Sequence, residues 1–193
     1  MKTELNQIFS TGLSIEFKTW KDLTKGRFDK PLNHQKGISY LKPSRGITPV
    51  INFHSNPNKE DKLQTPWRDL IFQEEGRVVY NGDNKTSSLE ASSTFGNKHV
   101  LSILKLYFSS KEEDRLKAVP IIVTSTLDIN GKTGFRKFIG FGIIERNPVL
   151  VQQYEKKTNK VFSNYQFEVT LLKLDDGEKF NWDWIDDRRD EFI

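Results

Sequence analysis

Residues 65–85 read TPWRDLIFQEEGRVVYNGDNK. Two short runs, Asp69–Phe72 and Arg77–Tyr80, flank Gln73-Glu74-Glu75-Gly76 and predict two strands joined by a tight connection. Such a hairpin brings an indole (Trp67), a carboxylate (Asp69) and a phenol (Tyr80) to one end of a sheet. Asp83, Asn84 and Lys85 follow at once. An aromatic slot with one carboxylate is the chemistry that holds a planar, amine-bearing ring such as a cytosine turned out of a duplex. The same residues also fit a core hairpin in which Trp67 and Tyr80 pack and Asp69 caps a turn.

Upstream lies a long polar excursion, Lys21 to Gly46, without apolar periodicity and punctuated by Gly26, Pro31, Gly37, Pro43 and Gly46. From Phe17 to Gly46 there are eight Lys and Arg residues against Asp22 and Asp29. Phe28, His34, Tyr40 and, at the border, Trp20 are interspersed. A long loop in a compact domain is usually functional or disordered. A basic one carrying aromatics suits a nucleic-acid groove. A solvated basic surface is the plainer reading.

The chain has 193 residues and a net charge of +4. Residues 175–193 hold eight acids against Lys179, Arg188 and Arg189, a net −5, which leaves +9 on residues 1–174. A polyanion is the first partner this balance implies. Fourteen Phe and four Trp argue for a folded, aromatic-rich core rather than disorder. Cys is absent, which excludes disulfides and thiolate metal sites and suits a reducing cytoplasm. No run is long and apolar enough to span a membrane, and MKTELNQIFSTGL is too polar for a signal peptide. A soluble, cytoplasmic protein with no membrane partner is expected.

Around the central hairpin, Leu13–Phe17 and Ile47–His54 read as strands, and Thr86–Thr94 as a flexible loop. Val100, Ile103, Leu104, Tyr107 and Phe108 fall at helical spacing within Gly96–Phe108, with Asn97 a candidate N-cap. A second short helix is predicted over Lys111–Ala118, ending at Pro120. Ile121–Leu127 and Phe135–Ile144 are predicted to pair, with Phe135, Ile139, Phe141 and Ile143 on one face and Gly140 and Gly142 on the other. Val149–Tyr154 and Gln166–Leu174 complete the strands, with Phe167, Val169 and Leu171 inward. The final FNWDWIDDRRDEFI predicts an amphipathic helix whose Trp182, Trp184 and Ile185 dock on the body. The sum is an α+β domain, a curved, largely antiparallel sheet or open barrel with one or two helices.

Two motifs are set aside. Gly131-Lys132-Thr133 resembles the end of a phosphate-binding loop, but Thr126 stands where the leading Gly is needed, so a hairpin turn is expected. His34, His54 and His99 lack metal-site spacing and read as surface or turn residues. A third pattern stays open: Asp69 followed by Asp83-x-Lys85 is the layout with which a small Mg²⁺-dependent nuclease holds its metal and assists its water.

In order along the chain stand TPWRD (65–69), VVYNGDNK (78–85), FGNKHVL (95–101), FIGFGIIERNPVLVQ (138–152), FSNYQFEVTLLKL (162–174) and FNWDWIDDRRD (180–190). These segments resemble the N-terminal recognition domain of modification-dependent restriction endonucleases of the MspJI/AspBHI kind. The resemblance covers about Ile47 to Asp190, with residues 1–46 matched loosely. It implies an SRA-like (PUA-like) fold: a twisted, crescent-shaped, mostly antiparallel sheet or open barrel with a few flanking helices. It also implies recognition of 5-methylcytosine or 5-hydroxymethylcytosine in double-stranded DNA by base flipping. In that family an Asp accepts from the cytosine amine and aromatic rings sandwich the base, roles that fall by position on Asp69, Trp67 and Tyr80.

The domain is then expected to span residues 1–174, with its basic loop at 21–46. Residues 175–193 form an acidic, Trp-containing segment leading to a cleavage module for which this chain has no motif. Lys25, Arg27, Lys30, Lys36, Lys42, Arg45, Asn84, Lys85 and Lys98 are the candidate phosphate ligands. Ile51, Phe53 and Val79 are candidates for an apolar wall against a 5-methyl group. This reading carries no catalytic residue, cofactor or metal. It places the protein in a prokaryotic cytoplasm, on the nucleoid, with a nuclease domain or subunit as possible partner. The closest rival is a sequence-specific reader of the B3 type, which reads base edges without a pocket.

Overall fold

The computed structural model describes residues 2–12, 16–18, 37–40, 50–57, 67–155, 157–175 and 178–183. In chain order these form strands β1 (Lys2–Thr3), β2 (Ile8–Ser10), β3 (Ile38–Tyr40), β4 (Ile51–Ser55), β5 (Leu70–Phe72) and β6 (Arg77–Asn81), then a 3-10 turn (Ala91–Ser93). Helices α1 (Phe95–Tyr107) and α2 (Glu112–Leu116) follow. Strands β7 (Ile121–Ile129), β8 (Lys132–Ile143), β9 (Val149–Glu155), β10 (Lys160–Leu171) and β11 (Phe180–Asn181) complete the chain. The class is α+β, mostly sheet. The chain divides into two compact units: residues 1–56, 119–142 and 172–193 form one, and residues 57–118 and 143–171 the other.

In the first unit β3 pairs antiparallel with β4, β4 parallel with β7, and β7 antiparallel with β8, which also takes β2. Asn130 and Gly131 both have positive φ (50° and 73°) and join β7 to β8 as a two-residue hairpin loop, so the phosphate-loop likeness there is indeed a turn. Phe9, Val50, Ile122, Phe138, Phe141, Phe180 and Trp182 form its aromatic-rich core. Phe141 meets Trp182 edge-on at 5.2 Å and Phe138 at 5.7 Å. The Trp182 indole N–H, fully buried, donates to Thr3 Oγ1 at 2.7 Å, which satisfies its polar end.

The second unit is built on β10. Its C-terminal half pairs with β6 and its N-terminal half with β9, and β5 continues outward from β6. The β5–β6 connection closes through Gly76 N–H to the Gln73 carbonyl (3.1 Å), with Gly76 at φ +67°. The predicted hairpin is therefore present, one residue off at each end. On α1 the helical spacing holds, with Val100, Ile103 and Leu104 buried.

Several expectations need correction. The first strand beyond β1 is Ile8–Ser10 rather than Leu13–Phe17, of which residues 13–15 lie outside the described residues and Glu16–Phe17 form a bend. Phe135, Ile139, Phe141 and Ile143 do not share one face. Gly140 pairs with Val123 and Phe138 with Thr124, so Ile139 is an extra residue in a bulge, and Phe138 and Phe141 come to the same core. Thr86–Thr94 carries local hydrogen bonds and includes the 3-10 turn. Within residues 175–193, Phe180 pairs with Thr3 and Trp182 sits in the core. Trp182 docks as expected; Trp184 and Ile185 lie outside the described residues.

Trp182→Ala removes the largest fully buried side chain and orphans Thr3, so we expect a loss of about 3–5 kcal/mol. Urea unfolding with an unchanged slope and a lower midpoint checks this. An unaltered midpoint would place Trp182 outside the cooperative core.

Candidate nucleic-acid site

Asp69 immediately precedes β5, and Leu70 pairs with Val79 on β6. The last residue of β6, Asn81, turns both its backbone and side-chain N–H toward Asp69. Asn81 N donates to Asp69 Oδ1 at 2.9 Å and Asn81 Nδ2 to the same oxygen at 3.3 Å. Nδ2 also donates to the Arg68 carbonyl at 3.1 Å. Bonds to a charged acceptor contribute about 2 kcal/mol each. The carboxylate is thereby pinned to the end of the hairpin.

Two residues before it, Trp67 is half-buried and packs edge-on against Phe162 of β10, centroids 6.2 Å apart. Tyr80 pairs with Phe167 and is 3% exposed. It alternates with Asn81, so its ring shares the face of Val78, Phe167 and Val169. The hairpin thus brings Asp69 to the end of β6, with Trp67 beside the edge of β10 and Tyr80 turned inward. Val79 is half-buried on the Asn81 face. Ile51 and Phe53, on β4 of the first unit, are fully buried.

The residues after β6 resolve differently. Asp83 accepts at both oxygens: Thr94 Oγ1 (2.5 Å) and Asn97 N (3.0 Å) at Oδ1, and Gly96 N (2.6 Å) at Oδ2. It caps α1 from outside the helix, and Asn97 Oδ1 accepts the Asp83 N–H in return at 3.1 Å. This is a long-range form of the reciprocal capping box. The expected cap was Asn97 itself, but the helix begins at Phe95 and its flanking Thr94 makes no side-chain cap bond. The nuclease pattern loses its second carboxylate for the same reason. Among the described residues no three His, Asp or Glu side chains are grouped to hold a metal ion.

Asn84 is also corrected. It is fully buried, and its amide donates to the Ser163 and Leu89 carbonyls at 2.7 and 3.2 Å, so it anchors the loop instead of meeting phosphate. Lys85 and Lys98 are exposed. Lys25, Arg27, Lys30, Lys36, Lys42 and Arg45 lie outside the described residues. His54, read as a surface or turn residue, is a half-buried strand residue bridged to Thr124 and Thr126 at 3.0 Å each, and His99 bonds the Phe95 carbonyl.

Asparagines 81, 97 and 164, with Gln153, were not foreseen as site residues. Asn is depleted in strands, so Asn164 within β10 was the available signal.

This α+β, mostly antiparallel fold is the SRA-like fold, as its solved neighbours bear out. Residues 32–192 match the family described as restriction endonuclease AspBHI N-terminal, and the chain belongs to that family. The structure is similar to MspJI restriction endonuclease, solved with a 27-mer oligonucleotide, at TM-score 0.79 and 26% identity over 97% of this chain. It spans 46% of the MspJI chain. It also resembles the DNA recognition domain of the cytosine modification-dependent endonuclease LpnPI (TM-score 0.72, 18% identity, 100% of this chain and 82% of that one). The modification-dependent endonuclease AspBHI matches with TM-score 0.70 and 16% identity over 100% of this chain and 85% of that one. No curated protein sequence matches the chain. Among the described residues no helix is long and apolar enough to cross a membrane.

Asp83→Ala uncaps α1 and orphans the Gly96 and Asn97 amides. We expect a loss of about 1–2 kcal/mol, with faster hydrogen exchange concentrated at the start of α1. Unchanged exchange there would remove Asp83 as the cap.

Proposed function

We propose that this chain is the DNA-recognition module of a modification-dependent restriction system, reading 5-methylcytosine or 5-hydroxymethylcytosine turned out of the duplex. The observation that carries the reading is the Asp69 carboxylate, pinned by Asn81 two residues from a half-exposed Trp67, in a chain of this family. Asp69 accepts from the exocyclic amine of cytosine, and a thymine, which offers an acceptor there, is rejected. Trp67 supplies the accessible ring of the sandwich. Tyr80 is the second ring that the family resemblance implies, and in this structure it faces the core. Stacking and the amine bond together offset an unstacking cost of a few kcal/mol.

Lys85 and Lys98, with the basic residues of the 21–46 loop, neutralise phosphates. Cutting is the task of a nuclease domain or subunit, and the work is done on the nucleoid in a prokaryotic cytoplasm.

The test compares duplexes that differ only in one cytosine modification, with 2-aminopurine beside it to report extrusion. We expect tighter binding and a fluorescence rise for the modified duplex. Asp69→Ala should weaken binding of the modified duplex about 30-fold, for a charged hydrogen bond of about 2 kcal/mol, and remove the fluorescence rise. Equal affinities with no fluorescence rise overturn the reading in favour of base-edge readout. Lys85→Ala and Lys98→Ala should weaken modified and unmodified duplexes alike and flatten the salt dependence by about one unit each. An unchanged slope removes that lysine from the phosphate contacts.

A further inference from the structure

Asp69 is the end of a chain of side-chain amides that runs across β6, β9 and β10. Asn81, 4% exposed, donates to it. The Asn81 carbonyl oxygen accepts from Gln153 Nε2 at 3.4 Å, and the Gln153 carbonyl oxygen lies 3.5 Å from Asn164 Nδ2. Asn164, fully buried, donates to the Gly82 carbonyl at 2.9 Å and accepts from Asn97 Nδ2 at 3.1 Å. Asn97 in turn is bonded to Asp83 at the start of α1. An amide side chain presents one donor end and one acceptor end. Each link therefore dictates the orientation of the next: with Gln153 directing its N–H₂ at the Asn81 oxygen, the Asn81 N–H₂ is turned toward Asp69 and the Arg68 carbonyl.

We propose that Asn81, held in this orientation by Gln153, is a specificity-determining positioning residue. It fixes Asp69 as a hydrogen-bond acceptor aimed for an amine-bearing base, and so sets the discrimination of cytosine from thymine. The inference rests on Asp69 reading the base, as proposed above. The backbone bond from Asn81 N survives any substitution except proline, whereas the side-chain bond depends on the amide. Without that amide the carboxylate keeps its place but loses a side-chain donor that helps to set its rotation. Asn81→Asp sets an acceptor against an acceptor, which a neighbouring carboxylate relieves by taking up a proton. A proton held between Asp69 and the introduced carboxylate spreads one negative charge over the pair and so weakens Asp69 as the acceptor of a cytosine amine.

The experiment measures, for the full chain, affinity for three duplexes identical but for one position holding 5-methylcytosine, cytosine or thymine, with adjacent 2-aminopurine fluorescence and the thermal midpoint. For Asn81→Asp we expect the 5-methylcytosine-over-thymine ratio to fall at least tenfold, with the fluorescence rise on the 5-methylcytosine duplex lost. Affinity for the cytosine duplex should change less than threefold. Gln153→Leu, a near-isosteric change on a half-buried strand position, tolerates folding better and should move the same ratio in the same direction by about threefold. Ratios unchanged in both variants, or losses equal on all three duplexes, overturn the inference. Asp69→Ala separates the two levels. If it leaves the wild-type ratio intact, the base-reading role fails; if it abolishes the ratio while Asn81→Asp and Gln153→Leu do not, only the positioning role fails.

Discussion

The second unit depends on one buried amide. Asn164 has no exposed surface, and its Oδ1 accepts from the Asn84 N–H, the Asn97 side chain and the Tyr165 N–H at 3.3, 3.1 and 3.0 Å. Its Nδ2 donates to the Gly82 carbonyl. A buried amide left without partners costs about 1–3 kcal/mol per group, so the loop after β6, the start of α1 and the middle of β10 can meet only in the arrangement that satisfies all of them. Gly82 is where the pieces touch. A Cβ there would lie 2.0 Å from Asn97 Oδ1 and 2.6 Å from Asn164 Oδ1, both committed atoms. The site residue Asn81 directly precedes it, and its position is inherited from this junction.

What the sequence disclosed follows from which forces are local. The hairpin at Asp69–Tyr80, the α1 stripe of Val100, Ile103 and Leu104, and the inward Phe167 and Val169 were legible because each depends on periodicity over a few residues. The bulge at Ile139 was not, since one extra residue leaves the alternating pattern readable in either phase and only the pairing with β7 decides it. The cap on α1 was missed because its acceptor, Asp83, lies outside the helix and arrives through the fold. Asn84 reads as a ligand because a polar residue after a strand looks the same whether it faces water or anchors a loop. In the site itself Asp69 was found by residue type and resemblance, while its partners were amides with no motif.

The long strand β10 shows how one sheet serves both core and site. Near its start the even-numbered residues Phe162 and Asn164 are buried, and farther on the odd-numbered Phe167 and Val169 take over. The buried face thus changes along a single strand. The apolar half packs with Val78 and Tyr80 of β6, and the other half carries the aromatic support of Trp67 and the hub of the amide chain. A purely apolar strand would satisfy the first requirement and leave nothing to orient a carboxylate.

The amide of Asn81 suits that second task. An asparagine supplies N–H donors with no net charge and an acceptor end through which its own orientation can be set. The exposed lysines Lys85 and Lys98 carry positive charge where a polyanion is met. Long-range attraction and short-range discrimination thus fall to different chemistries, and the buried amides allow a basic protein to keep one carboxylate reading as an acceptor.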